Sequence, residues 1–415
     1  LDVRSALFQK KLQQRAEQPS ARCLIVERSL VQNRGHHHTQ IATLASLLPG
    51  YQISLLAGPN YNFFLPYPAR VMTTDVARIE YLTRRAAHGS LRQKLIARTD
   101  LFLSGRGWPL PRSGYGADLT MAIRDFGLGP GDLVTVPSAS IADLAAVVEA
   151  AAGFEQGRIP RVQMRFLDPF LDEPKEILRD ARVMGLLKNL PPCTELACET
   201  EELARWFSDR FEYSFKGGVY LPCTIDPRSD GVTSPQQRGG FFRVGVFGAP
   251  KRRKGSARIT PIVAALSKRD VDVEILVQGE AHDFEPGGFF SAVAQFANKR
   301  VRIVPMLGEI APEAFREALL SVDAVLLPYD TSVYGLQGSG LVQDAVAALR
   351  PVVHSRGFSM HYLLQHGNAI DAVTDEDFAD AIVSLTQCTN ALSEGCKKAR
   401  EAFRLRLDQP VLFGR

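Results

Sequence analysis

The 415-residue chain has no run approaching the roughly 18 consecutive apolar residues that a membrane-spanning helix needs. Cysteine is scarce: Cys23, Cys193, Cys198, Cys223, Cys388 and Cys396. None forms a Cys-x-x-Cys pair, and a chain of this length does not depend on disulfide staples, so free thiols in a reducing cytoplasm are expected. No repeat of solenoid period is present. The opening Leu1-Asp2-Val3-Arg4 has neither an initiating Met nor a signal-peptide apolar core, and it reads as a cut from a longer protein. Charged residues make up 23% and the AVILMFWYC set 45%, which excludes disorder, collagen and coiled coil for the whole chain. The length points to two domains.

The pattern along the chain is that of an α/β protein. Residues 1–20 are polar and helix-prone. Cys23–Glu27 reads as a buried strand, Asn33–His38 as a Gly/His loop, Ile41–Leu48 as a helix and Ile53–Ala57 as a second strand. The aromatic, Pro-rich segment 58–75 blurs the pattern. Helical spacing returns at 76–98. Strands are expected at Leu133–Val136 and Val162–Phe166, with a helix at 140–152. Pro and Gly cluster at 222–240, the expected linker. Beyond it strands are expected at 242–247, 272–277, 301–304, 323–327 and 351–353. Helices are expected at 256–268, 288–297, 312–320, 339–349 and 375–386. This alternation predicts two Rossmann-like, doubly wound domains facing a central cleft, the usual place for a small-molecule site. The expected boundaries are 1–228, 229–395 and a C-terminal helix or tail, 396–415, that packs back on the first domain.

Two segments carry anion-binding character. Gly248-Ala249-Pro250-Lys251-Arg252-Arg253-Lys254-Gly255 follows a strand and opens a helix near Ser256. Helix N-termini at strand ends attract anions, and the four consecutive cations suit a diphosphate. Walker spacing is absent, so this is not a P-loop; a solvated basic turn is the plain alternative. In the second segment, Gly338-Ser339-Gly340 lies between a strand and a helix, after Tyr334 and before Asp344. Its backbone amides are expected to form an anion nest, and Asp344 to accept ribose hydroxyls; a plain loop is the alternative.

Two further features are open to more than one reading. Gly35-His36-His37-His38 invites a metal reading, but adjacent side chains diverge and no ligand partner sits at metal spacing, so no metal is expected. From Ala77 to Arg106, seven cations face two acidic residues, with Ile79, Leu82, Leu91, Leu95 and Ile96 interspersed. A segment of this kind lies on an anionic membrane surface, binds an anionic acceptor, or is simply a solvated face. No recognised motif supports nucleic acid. The net charge of +4 conceals an asymmetry: residues 1–110 hold 15 Lys and Arg against 6 Asp and Glu, and the remainder is slightly acidic.

The C-terminal half resembles the retaining GT-B glycosyltransferases of the group 1 family over about residues 240–390. The strand–Gly…Lys254-Gly255–helix element looks like that family's phosphate turn, and Val273–Gly279 like its next strand. Asp344-Ala345-Val346-Ala347-Ala348-Leu349-Arg350-Pro351-Val352-Val353 looks like its Glu-Ala-x-Ala-x-Gly-x-Pro-Val signature. The resemblance implies a metal-independent, cofactor-free hexosyltransferase of polysaccharide biosynthesis, cytoplasmic or peripheral to the inner face of the membrane. It implies a nucleotide-sugar donor (UDP or GDP) and a glycan or lipid-linked acceptor. Its implied donor contacts are Gly35, Lys251, Lys254, Tyr334, Gly338, Ser339, Gly340 and Asp344. Lys254 would stabilise the leaving diphosphate, and His37, or its neighbours His36 and His38, would touch phosphate or acceptor. The chain departs from the family at Leu336, where the first of two paired glutamates belongs; Tyr334 or Gln337 is expected to take over that contact. The family's upstream Arg is absent, with Lys251 as the substitute, and Leu349 replaces the signature Gly. A nucleotide-sugar 2-epimerase of the same fold, or a degenerate binding subunit, are the alternatives.

Overall fold

The computed structural model describes residues 21–30, 35–76, 78, 81, 82, 86, 90–103, 114–155, 157–169, 176–232, 240–308, 310–387 and 389–408. The helix-prone segment 1–20, much of 77–113 and the core of the linker, 233–239, lie outside these residues. By its contacts the chain divides into two compact units. One comprises Leu1–Val31, Ala45–Met164 and Asp172–Glu195; the other comprises Gln32–Leu44, Arg165–Leu171 and Leu196–Arg415.

Each half of the chain builds a six-stranded sheet. The first contains β1 (Ala21–Glu27), β2 (Tyr51–Ala57), β3 (Ala69–Val71), β4 (Leu133–Ala139), β5 (Arg161–Phe166) and β6 (Thr194–Cys198), in the order β3-β2-β1-β4-β5-β6. The paired strands β3–β2–β1–β4 run parallel. Cys23 to Val26 are almost wholly buried, as a strand covered on both faces requires. The β1 ladder with β4 ends at Thr135, so the strand tolerates Pro137 beyond it and runs on to Ala139.

The second sheet contains β7 (Phe242–Val246), β8 (Val273–Gly279), β9 (Val301–Leu307), β10 (Ala324–Leu327), β11 (Val352–Ser355) and β12 (Ala369–Ala372). Its order is β12-β11-β10-β7-β8-β9, all parallel. Counted from β7, this repeats the first sheet's order, the doubly wound nucleotide-binding arrangement. The order reverses between β7 and β10, and in such sheets ligands bind outside the strand C-termini at that point. The core joins Val244, Ile275, Val277, Leu326 and Val353 to Ile259, Ile262 and Leu266 of one helix and Phe378 and Ile382 of another.

Several local expectations change. The three histidines stand in the first turn of a helix, α1 (Gly35–Ser46), and not in a loop, because nothing after Gly35 interrupts the apolar spacing that continues through Ile41 and Leu44. The expected helix 288–297 shrinks to a 3₁₀ turn, Val293–Phe296; Gly287 adopts a left-handed φ of 91°, and Phe290 and Val293 turn into the core. The expected helix 76–98 is described as a helix over α2 (Leu91–Leu103), opened by reciprocal Ser90 and Gln93 hydrogen bonds. The C-terminal helix spans Thr389–Asp408; Phe403 packs on Tyr220, and Arg406 pairs with Glu201 at 2.7 Å. Among the described residues, Cys23, Cys193, Cys198, Cys223 and Cys396 are free thiols.

Candidate functional site

Both segments expected to bind an anion fall at the switch point of the second sheet, one after β7 and the other after β10. Gly248 leaves β7 with φ of 92°, and its N–H donates to Gln278 Oε1 at 2.7 Å. The chain then forms a 3₁₀ turn, Arg252–Lys254, closed by Gly255 at φ of 68° before α3 (Ser256–Leu266). Ser256 Oγ accepts the Lys251 N–H at 2.9 Å, which fixes the turn against the helix. Lys251, Arg252 and Arg253 are exposed, whereas Lys254 is half-buried.

Lys254 is electrostatically unusual. Its Nζ lies over Gly248, where an added Cβ would come within 2.7 Å. Burial, reinforced by Lys251 and Arg253, pulls its pKa down to about 8. Among the described residues no carboxylate pairs with it. A partly desolvated ammonium among other cations is stabilised by an incoming anion.

The structure joins the second segment to the first. The Asp330 N–H donates to the Arg253 carbonyl at 3.0 Å, and a Cβ on Gly255 would collide with the Pro328 carbonyl oxygen. Asp330 caps a short helix, Thr331–Tyr334. Tyr334 is buried, with its ring parallel to Phe358 at 6.0 Å and 4.5 Å from Tyr329, and burial raises its pKa. Gly338 and Gly340 lack left-handed backbone. Their bare Cα atoms make room: a Cβ on Gly338 would strike Glu199 Oε2, and one on Gly340 would lie 2.6 Å from Cys223 Sγ. Of the expected amide donors, the Ser339 N–H is directed to Met360 Sδ at 3.1 Å.

Asp344 lies in α4 (Gly340–Ala347) and is buried. Its Oδ1 accepts the N–H groups of Thr224 (2.7 Å) and Ile225 (2.9 Å). Burial pushes its pKa up to about 6 against those two amides. The carboxylate expected to meet ribose thus holds the 224–225 turn with one oxygen.

A buried cluster beneath Gly338 escapes sequence reasoning. Glu199 Oε1 accepts from Arg165 Nη2 at 2.7 Å and from Gln343 Nε2 at 2.8 Å, and Arg165 Nε donates to the Val219 carbonyl at 2.6 Å. Next to it, Thr200 caps the helix Glu201–Phe211 and donates its hydroxyl to the Leu336 carbonyl at 2.7 Å. Leu336, at the place of the missing glutamate, is therefore held through its backbone. The only local signal was an acidic residue at a strand end before a Thr cap.

The backbone of Gly35, His36 and His37 opens α1, but their side chains lie outside the described residues. His38 is half-buried, and burial lowers its pKa. Gln32–Leu44 groups by contacts with the unit that holds Lys254. Among the described residues no group of three or more His, Cys, Asp or Glu is placed to hold a metal ion. No helix of the described residues is long and apolar enough to cross a membrane.

No protein-family model matches this sequence, and no curated protein matches it. Solved structures do. A glycosyltransferase from Rickettsia africae superposes with a TM-score of 0.59 at 12% identity, covering 95% of this chain and 97% of that one. HepE from Anabaena, in complex with UDP, gives 0.58 at 15% identity, covering 93% and 95%. The E. coli trehalose-6-phosphate structure bound with UDP-2-fluoro glucose gives 0.58 at 12% identity, covering 94% and 97%. At such identities the likeness speaks to architecture. With both sheets in the same doubly wound order, the chain has the GT-B fold, as a distant member of the structures that share it.

Proposed function

We propose that this protein is a glycosyltransferase that takes a sugar from a UDP or GDP sugar. The observation that carries the reading is Lys254: a half-buried ammonium with no carboxylate partner among the described residues, at the switch point of a doubly wound sheet. HepE with UDP and the E. coli structure with UDP-2-fluoro glucose support a nucleotide sugar as the ligand. In this proposal Lys254 and Lys251 meet the diphosphate, with Gly340 N–H at the start of α4 as a further donor. As the bond between the sugar's anomeric carbon and the diphosphate breaks, charge builds on the departing oxygen. The two ammonium groups stabilise that charge without reorganising. They supply the positive charge a divalent ion would bring, so transfer is proposed to be metal-independent. Retention, a hexosyl donor, a glycan or lipid-linked acceptor and a cytoplasmic setting complete the proposal. Tyr334, Ser339 and Asp344 shape the loop, Gly35 and His37 stand at the head of α1, and the Glu199 cluster props Gly338.

The test is calorimetric titration with UDP and GDP, followed by incubation with their hexose derivatives. Saturable binding that Lys254→Ala weakens at least about tenfold is expected, because a charge-assisted phosphate contact is lost. Release of the free nucleotide, dependent on added glycan, completes the case. Absence of binding to either nucleotide by the folded protein overturns it. Leu336 favours a second reading, a binding subunit without turnover; nucleotide binding with no sugar release under any acceptor would select it.

A further inference from the structure

We propose that Lys254 is a site of acylation by small acyl phosphates, which the cations of the 248–255 turn collect and present to its amine. Lys254 is half-buried, and its Nζ stands over the bare Cα of Gly248. Among the described residues its side chain has neither a carboxylate nor a hydrogen-bond acceptor as partner. Its neighbours Lys251, Arg252 and Arg253 are exposed, so the charge beside the amine is open to an anion from solvent. The backbone holds all four in one turn. The Lys254 N–H donates to the Lys251 carbonyl at 2.9 Å and the Gly255 N–H to the Arg252 carbonyl at 2.8 Å, while the Asp330 N–H fixes the Arg253 carbonyl. An amine kept from pairing and crowded by like charge spends more time neutral, the form that attacks a carbonyl carbon.

An acyl phosphate matches both halves of this arrangement. Its phosphate oxygens meet Lys251 and the two arginines, which brings the adjoining carbonyl carbon to the Lys254 amine. The nitrogen lone pair attacks that carbon, the bond from carbon to the phosphate oxygen breaks, and its electron pair leaves on inorganic phosphate. The proton lost from nitrogen passes to water. The same cations stabilise the charge gathering on the departing phosphate. A neutral amide replaces an ammonium, so one of the charges proposed to hold a donor diphosphate is removed. The modification rests on the reading of the turn as an anion site, not on sugar transfer, and it couples the supply of activated acyl groups to nucleotide binding.

The experiment exposes the full chain to acetyl phosphate and, separately, to p-nitrophenyl acetate, a neutral ester, and follows each lysine by peptide mass spectrometry. Lys188, Lys268 and Lys299 are exposed and serve as internal references. With acetyl phosphate, Lys254 should react at least about tenfold faster than these references, although it is the less accessible amine. The neutral ester should show a preference at least about fivefold smaller, since no charge recruits it. Lys251→Gln, unfolding at the wild-type temperature, should cut the ratio of the two rates at Lys254 about threefold or more; taking the ratio cancels any change in the amine itself. Equal preference with both reagents, or Lys254 reacting with acetyl phosphate no faster than the references, overturns the proposal. Calorimetry with UDP separates it from the donor assignment. Selective acetylation without UDP binding by the unmodified chain supports the modification and overturns the donor, whereas UDP binding without selective acetylation overturns the modification alone.

Discussion

UDP binding should weaken as the pH rises past neutrality, with Lys254 as the titrating group. Its pKa in the free protein is about 8. The ammonium is then about nine-tenths charged at pH 7 and about one-quarter charged at pH 8.5. A bound diphosphate retains the proton by raising the pKa in the complex. The association constant therefore falls about fourfold between these values, or ~0.8 kcal/mol. A terminal phosphate has its second pKa near about 6, so its own titration contributes little in this window. Calorimetry in two buffers of different ionisation heat reads the linked proton directly. Uptake of about half a proton per UDP is expected at pH 8 and about one-tenth at pH 7. In Lys254→Arg the guanidinium stays charged throughout, so slope and uptake both vanish. The sign for folding is opposite. Between about pH 8 and about 10.4 the unfolded chain holds a proton that the folded chain has lost, so stability of the free protein rises with pH there. A wild-type affinity that stays flat from pH 7 to 8.5, with no proton uptake, refutes the assignment of Lys254 to the anion.

Three other outcomes are expected. Gly255→Ala combines a left-handed φ with a collision at the Pro328 carbonyl; it should lower stability by about 1–3 kcal/mol or more in urea unfolding and weaken UDP binding. Glu199→Ala leaves Arg165 buried without its carboxylate; a loss of about 3–5 kcal/mol is expected by the same assay. Asp344 has a folded pKa of about 6, above the unfolded value of about 3.9; its contribution is present below about pH 4 and lost as the pH rises through 6. Asp344→Asn should flatten that part of the stability profile, which thermal unfolding between pH 4 and 7 measures.

The turn 248–255 between strand and helix was legible because its signals are contiguous: an apolar strand, a glycine, four cations and a second glycine mark it without outside information. The doubly wound order was legible for the same reason in the second half, where strands and helices alternate cleanly. The Arg165–Glu199–Gln343 cluster was not, because its members lie 34 and 144 positions apart and meet only through the fold. The hold of Asp344 on the Thr224 and Ile225 amides was not legible either, because those amides lie in the expected linker, 120 and 119 positions away. The helix Tyr115–Asp125 was missed since its buried face includes Asp118, which serves the Thr73 and Thr74 amides. Similarly, Asp143 looks like a surface residue in sequence but meets Arg28 and Tyr115 in the interior. Periodicity finds apolar faces, and it discards polar residues whose partners are distant.

The contact between Gly255 and the Pro328 carbonyl has a consequence for altering the preference of the proposed donor site. The two loops are interlocked at backbone level, by that approach and by the Asp330–Arg253 hydrogen bond. A graft of the 248–255 segment from another GT-B protein would meet a neighbour shaped for this one. Donor specificity should therefore transfer only when 248–255 and 328–340 are exchanged together, and single-loop chimaeras should lose nucleotide binding before they change it.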